Sequence, residues 1–122
     1  MPLSDLNEPR RLDLRVRAGD SFARALAIQE ADGSATDLTG LTPRAQVRDR
    51  PGGSLLASFV AALVGDPADG IVSYALSATQ TRSLAAFEPG MVWDLELDGG
   101  DTNTTTVVAG VVTVCPDVTV AP

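Results

Sequence analysis

Met91-Val92-Trp93-Asp94-Leu95-Glu96-Leu97-Asp98 puts a large apolar residue at every odd position and an acidic or β-branched one at every even position. A period of two is that of a β-strand, whose successive side chains point to opposite faces. The stretch therefore predicts a strand with Met91, Trp93, Leu95 and Leu97 turned inward and Asp94, Glu96 and Asp98 turned to water. Glu88-Pro89-Gly90 before it and Asp98-Gly99-Gly100-Asp101 after it are turn sequences. Trp93 brings the largest apolar area in the chain, so it is expected at the centre of the core, with Leu95, Phe59 and Leu76 around it.

Outward from this strand the same punctuation recurs. Downstream, Thr104 to Cys115 is a long β-branched run ended by Pro116. Upstream, Val72, Tyr74 and Leu76 line one face of a strand that follows Gly65-Asp66-Pro67-Ala68-Asp69-Gly70. Between these runs, Ser77 to Leu84 departs from period two. Ser77 followed by Gln80 is a capping-box pattern, so this is the one place where a short helical turn is expected. Leu55 to Val64 is apolar on both faces and predicts a central or covered strand. Ala45 and Val47 alternate with Arg44, Gln46 and Arg48, and Asp32-Gly33 marks a turn before them. Phe22, Leu26 and Ile28 share a face with Arg24, which requires either a position at the rim or a bulge. Leu12-Asp13-Leu14-Arg15-Val16 is the first alternating run.

Seven such runs without βαβ alternation imply an all-β fold. The expected form is an immunoglobulin-like antiparallel β-sandwich of about seven strands with one short helical turn, a small barrel being the alternative. The 122 residues suit one domain at 12–115, with an N-terminal arm at 1–11 and a C-terminal tail at 116–122. The arm carries Leu3 and Leu6, and the tail Val118 and Val120. These residues are too apolar for purely solvated ends and are expected to contact a partner.

Composition narrows the function classes. The longest apolar run is far shorter than the roughly 20 residues that cross a bilayer, and no basic, apolar leader opens the chain, so production in the cytoplasm without a membrane partner is expected. Sixteen acidic residues against nine basic ones give a net charge of −7, which repels nucleic acid. The chain holds no histidine, so neither a Ser-His nor a Cys-His pair can form, and the expectation is a protein that is not an enzyme and carries no cofactor. Asp94 and Glu96 share one strand face and would be the carboxylates of a hydrolase, but they read first as a solvated face. Cys115, the single cysteine, reads as a strand-end residue. Asp66 and Asp69 in one loop, and Asp98 and Asp101 in another, are oxygen ligands that could hold calcium, though neither loop follows an EF-hand.

Several short motifs follow one another in order along the chain. Ala18-Gly19-Asp20-Ser21-Phe22, Asp37-Leu38-Thr39-Gly40 and Arg44-Ala45-Gln46-Val47-Arg48 come first. Leu56-Ala57-Ser58-Phe59, Leu76-Ser77 with Gln80-Thr81, Trp93-Asp94-Leu95-Glu96, Gly110 to Val114 and Asp117-Val118-Thr119 follow. Across residues 18 to 119 the chain resembles the immunoglobulin-like N-terminal domain of baseplate upper proteins of tailed bacteriophages and related small tail and head-decorating modules. That resemblance implies a structural component of the virion, docked on the tail or baseplate beside other virion proteins and present as copies in a symmetric assembly. The alternatives are a capsid decoration protein on the major capsid protein and a module that binds carbohydrate on the host surface. Baseplate upper proteins of this type continue into a fibre-holding region that has no counterpart in these residues.

Overall fold

In the computed structural model, residues 10–100 and 103–116 are described. The strands are β1 (Arg10–Arg11), β2 (Leu14–Arg17), β3 (Phe22–Ala27), β4 (Thr42–Arg48), β5 (Leu55–Ser58), β6 (Val60–Leu63), β7 (Ile71–Leu76), β8 (Met91–Asp98) and β9 (Thr104–Cys115), with one α-helix, α1 (Ala78–Leu84). The larger sheet has the order β1-β9-β8-β4-β5, with β2 also on β9, and the smaller one is β3-β7-β6. The two sheets enclose one core, so the fold is the expected all-β sandwich. The order of the larger sheet, with its N-terminal strand beside its last, follows the immunoglobulin pattern. Among the described residues no helix is long and apolar enough to cross a membrane.

Where nine strand segments replace seven runs, two runs have been divided. Arg10 to Arg17 is one strand interrupted at Leu12 and Asp13, and it lies parallel to β9, from Arg10 opposite Val108 to Arg17 opposite Cys115. One pairing is thus parallel in a sandwich expected to be antiparallel, and Arg10 and Arg11, assigned to the arm, are paired with β9. The second division corrects the reading of Leu55 to Val64. This run is neither central nor covered: β5 pairs with β4, β6 pairs with β7, and the chain passes from one sheet to the other at Phe59. Each half is an edge strand, and only Ala57 and Phe59 are buried in the core. Leu55, Val60 and Val64 therefore stand 49%, 74% and 41% exposed.

Arg24 takes the rim. The β3–β7 register runs unbroken from Phe22 opposite Leu76 to Ala27 opposite Ile71, so no bulge turns the side chain away. Its guanidinium lies 4.6 Å from the centre of the Phe22 ring, over the open side of the sandwich between β2 and β3. Cation and ring attract, and the arginine stem covers apolar surface while its head stays wet.

Four rings fill the middle. Trp93 is 2% exposed and stacks on Tyr74 at 5.2 Å, with Phe59 5.5 Å from Trp93 and Phe22 6.2 Å from Tyr74. Leu95 and Leu76 are buried beside them. The indole Nε1 donates to the Leu12 carbonyl at 2.8 Å, so the ring spans from β8 to the N-terminal strand. Leu12 reaches it because Gly110 has no side chain: a Cβ at 110 would lie 2.1 Å from the Leu12 oxygen. The interrupted strand is pinned on either side of this point, by Leu12 N donating to Ala109 O and by Val111 N donating to the Asp13 carboxylate.

Ser77 caps α1 as its spacing predicts. Its hydroxyl accepts from Gln80 N and the Gln80 side chain accepts from Ser77 N, the reciprocal pair of a capping box. Thr81, wholly buried, then ties the helix to the β2–β3 turn: its hydroxyl accepts from Gly19 N and donates to Asp20 O.

Trp93→Ala should destabilise the domain by roughly 3–5 kcal/mol in chemical denaturation, since it opens the ring cluster and leaves the Leu12 carbonyl unpartnered. Gly110→Ala should cost about 1–3 kcal/mol although it adds only a methyl group, because backbone must move to admit it. A Gly110→Ala protein as stable as the parent would show that the N-terminal strand yields freely at Leu12.

Candidate functional site

The two sheets present outer faces of opposite character. On the smaller sheet the outward residues fall into rows: Ala23, Ala75 and Val60, then Ala25, Ser73 and Ala62, then Ala27 and Ile71. Val64 extends the last row by donating its amide to the Ile71 carbonyl. The Ser73 hydroxyl is turned to the backbone oxygen of Ala62 at 3.3 Å. No position in these rows is charged, in a chain of net charge −7. Short side chains leave the surface flat, and none of them can shield the strands beneath.

On the larger sheet the outward rows are ionic. Arg44 on β4 stands opposite Glu96 on β8, Gln46 opposite Asp94, and Thr42 opposite Asp98. Across β8 on the other side, Asp94 faces Ala109 and Glu96 faces Thr106. Arg44 pairs with Glu96 at 2.9 Å and with Asp98 at 3.2 Å. Arg48 donates to the Gly53 carbonyl and to the Gln46 side chain, which draws the β4–β5 hairpin over the sheet. Between the hairpin tip at Pro51 and Gly52 and the short residues Ala109 and Gly110 lies a groove of about 470 Å³.

Asp94 and Glu96, the candidate hydrolase carboxylates, are thus brought to one surface, but into different circumstances. Glu96 is held by Arg44. Asp94 accepts no hydrogen bond and joins no ion pair among the described residues. Partial burial, and then the charge of Glu96, push its carboxyl above the ordinary aspartate range, with Arg48 opposing them. Among the described residues no nucleophile is hydrogen-bonded to Asp94.

The other candidates are dispersed. Asp66 caps a 3-10 turn by accepting from Ala68 N, and Asp69 lies in that turn. Asp98 accepts from Gly100 N and the Thr104 hydroxyl besides pairing with Arg44. Asp101, Leu3, Leu6, Val118 and Val120 lie outside the described residues. Among the described residues no three His, Cys, Asp or Glu side chains group as a metal site. Cys115 is partly covered at the end of β9, opposite Arg17. Trp93, Phe22, Phe59 and Tyr74 are buried together, and Phe87, 47% exposed, is the one remaining aromatic, so no run of exposed rings is presented to a sugar or a base.

The even face of β8 was legible as polar. What single-sequence reading missed was the alanine face: β3 reads Phe22-Ala23-Arg24-Ala25-Leu26-Ala27, and alanines pass as filler in a core as easily as outside it. The signal was there in the parity, since three alanines alternate with the residues that go inward. No family model matches the chain, and no curated protein matches it in sequence.

Stability should fall in one acid transition. Asp13, Asp32, Asp37 and Asp98 are held below the ordinary aspartate range: the Val111 amide lowers Asp13, the Ser34 and Thr39 hydroxyls lower Asp32 and Asp37, and the Gly100 amide lowers Asp98. A depressed folded-state pKa contributes stability that is present above the unfolded value, about 3.9 for aspartate, and is lost as pH falls toward the folded value. Asp94 acts with opposite sign, its cost being relieved on protonation. With no histidine, melting temperature measured against pH should be level between pH 6 and 7 and decline below about 4.

Proposed function

We propose that the protein is a non-enzymatic docking module of a tailed-phage particle, made in the host cytoplasm and seated on the tail or baseplate against other virion proteins. The observation that carries this reading is the uncharged outer face of the smaller sheet. A chain with an excess of seven negative charges has the means to keep all its surface solvated. Instead, the sequence alternation assigns alanine, valine and isoleucine to the outside of three paired strands, with Val60 the most exposed of the large apolar residues. Apolar patches of this kind mark protein–protein contacts. Small residues suit them, because a flat sheet lets a second surface approach closely without displacing long side chains.

The sequence resemblance across residues 18 to 119 supplies the setting, and the immunoglobulin-like strand order agrees with it. A virion subunit needs a rigid frame and a contact face, and no reaction. The alternative of a carbohydrate-binding module loses support from the burial of Trp93 and Tyr74, the rings best suited to stack on a sugar.

Quantitative mass spectrometry of purified particles tests the reading. Copy number that tracks the tail proteins supports it, copy number that tracks the major capsid protein transfers the module to the head as a decoration protein, and absence from particles overturns it. In the same particles Ala25→Arg, which sets a charge in the middle row of the face, should leave folding stability within about 0.5 kcal/mol of the parent and reduce incorporation severely. Parental incorporation of Ala25→Arg would remove the smaller sheet from the contact.

A further inference from the structure

We infer that the groove on the larger sheet is a receptor for a guanidinium side chain, presented by an extended segment of a partner protein, with Asp94 as its counter-ion. The inference stands on the groove itself and holds whichever assembly the module joins.

Three observations converge on it. The first is space: Ala109, opposite Asp94 on β9, contributes only a methyl group to this face, while the Pro51-Gly52 hairpin tip overhangs from the opposite side, so about 470 Å³ stays open above β4, β8 and β9. The second is the state of the charges around that space. Arg44 is taken by Glu96 and Asp98, and Arg48 by the Gly53 carbonyl and the Gln46 side chain. The hydrogen-bond donors of the flanking cations are therefore committed, and neither pairs directly with Asp94, although the charge of Arg48 acts on it from a distance. The third is Asp94 itself, in the central row between Gln46 and Ala109, part-covered and with neither carboxylate oxygen hydrogen-bonded among the described residues.

A partly covered carboxylate with no hydrogen bond to either oxygen is unfavourable, and a cation that enters the groove offsets that cost. Two vacant oxygens on one carboxylate match the two parallel N–H groups of a guanidinium, a fit that an ammonium makes only at a single point. Glu96 next to Asp94 adds negative potential, although Arg44 compensates much of it. Arg44 is neutralised by Glu96 and Asp98, and the donors of Arg48 are taken by neutral oxygens, so among the described residues Asp94 is the one charged group of the lining with its hydrogen-bonding atoms vacant, and it calls for a donor of positive charge. A peptide, and not a free cation, is the better occupant because the groove is long enough to cross three strands and is bordered by backbone at Gly52 and Gly110.

The test is a nuclear magnetic resonance titration of the full chain with acetyl-Gly-Arg-Gly-amide, with agmatine and with sodium chloride at matched ionic strength. The tripeptide should give saturable shifts at the amides of residues 44–48, 92–96 and 109–110, and should lower the pKa of the Asp94 carboxyl. Asp94→Asn should weaken the binding by about tenfold or more, the loss expected of a charge-assisted pair, whereas Asp69→Asn, a carboxylate on a distant loop, should leave it unchanged. Shifts no larger than those from salt, or binding that survives Asp94→Asn in a protein with a parental amide spectrum, would overturn the proposal. Binding of agmatine without the tripeptide would overturn the peptide occupant and leave a site for a free cation.

Discussion

The contact on which the rest of the sandwich depends is the bond from the Trp93 indole to the Leu12 carbonyl across the bare backbone of Gly110. A single ring performs three tasks there. It buries the largest apolar area of β8, it stacks on Tyr74 of the opposite sheet, and it satisfies a carbonyl where the N-terminal strand breaks its pairing with β9. A buried carbonyl without a partner is costly, so the interruption at Leu12 and Asp13 persists only because both residues are served, Leu12 by the indole and Asp13 through the amide of Val111. With one cysteine the chain forms no internal disulfide, and it is the stacking of Trp93 on Tyr74, not the bond to Leu12, that joins the two sheets at this point.

The consequences run outward from that point. Because the N-terminal strand is committed to β9, it does not extend the smaller sheet, which among the described residues has three strands with β3 at its edge. The opening between β2 and β3 is then closed by Arg24 lying on Phe22, which accounts for a charged residue at an inward parity. On the other side, Phe59 joins the ring cluster and fixes the place where the chain leaves one sheet for the next. The exposed valines and leucine of that run follow from this crossing: a segment that serves two edges places few residues in the core, here Ala57 and Phe59.

Alternation alone made most of the strands readable. The patterns of β4, β7 and β8, the long β9 and the capped helix at Ser77 depend on neighbours in sequence, and local rules describe them well. Leu55 to Val64 misled because a run apolar on both faces has two physical origins, burial on both sides or a change of sheet midway, and period-two arguments do not separate them. The parallel placement of β1 and β2 was illegible for a different reason, since it rests on Gly110, whose missing side chain matters only once Leu12 is brought over it from 98 residues away in sequence. As for the groove, Asp94 and Glu96 were visible as a pair on one face, but Asp94's isolation was not. It arises because Arg44 and Arg48 on the neighbouring strand are drawn to other acceptors.

On the proposed docking role, the two outer faces together fit a module with two neighbours. They lie on opposite sides of one core, so a partner that covers the alanine face of the smaller sheet cannot also reach the groove at Asp94. Their chemistries are also distinct: one offers flat apolar area, which gives adhesion with little orientation, and the other offers a single directional charge in a recess, which gives orientation with little area. Adhesion on one side and registration on the other is what a subunit needs when it sits between unlike surfaces of a larger particle. A stand-alone ligand-binding domain would have reason to build only the recess. The rigid ring cluster between the faces holds them at a fixed separation, so a partner seated on the smaller sheet determines where the groove is presented.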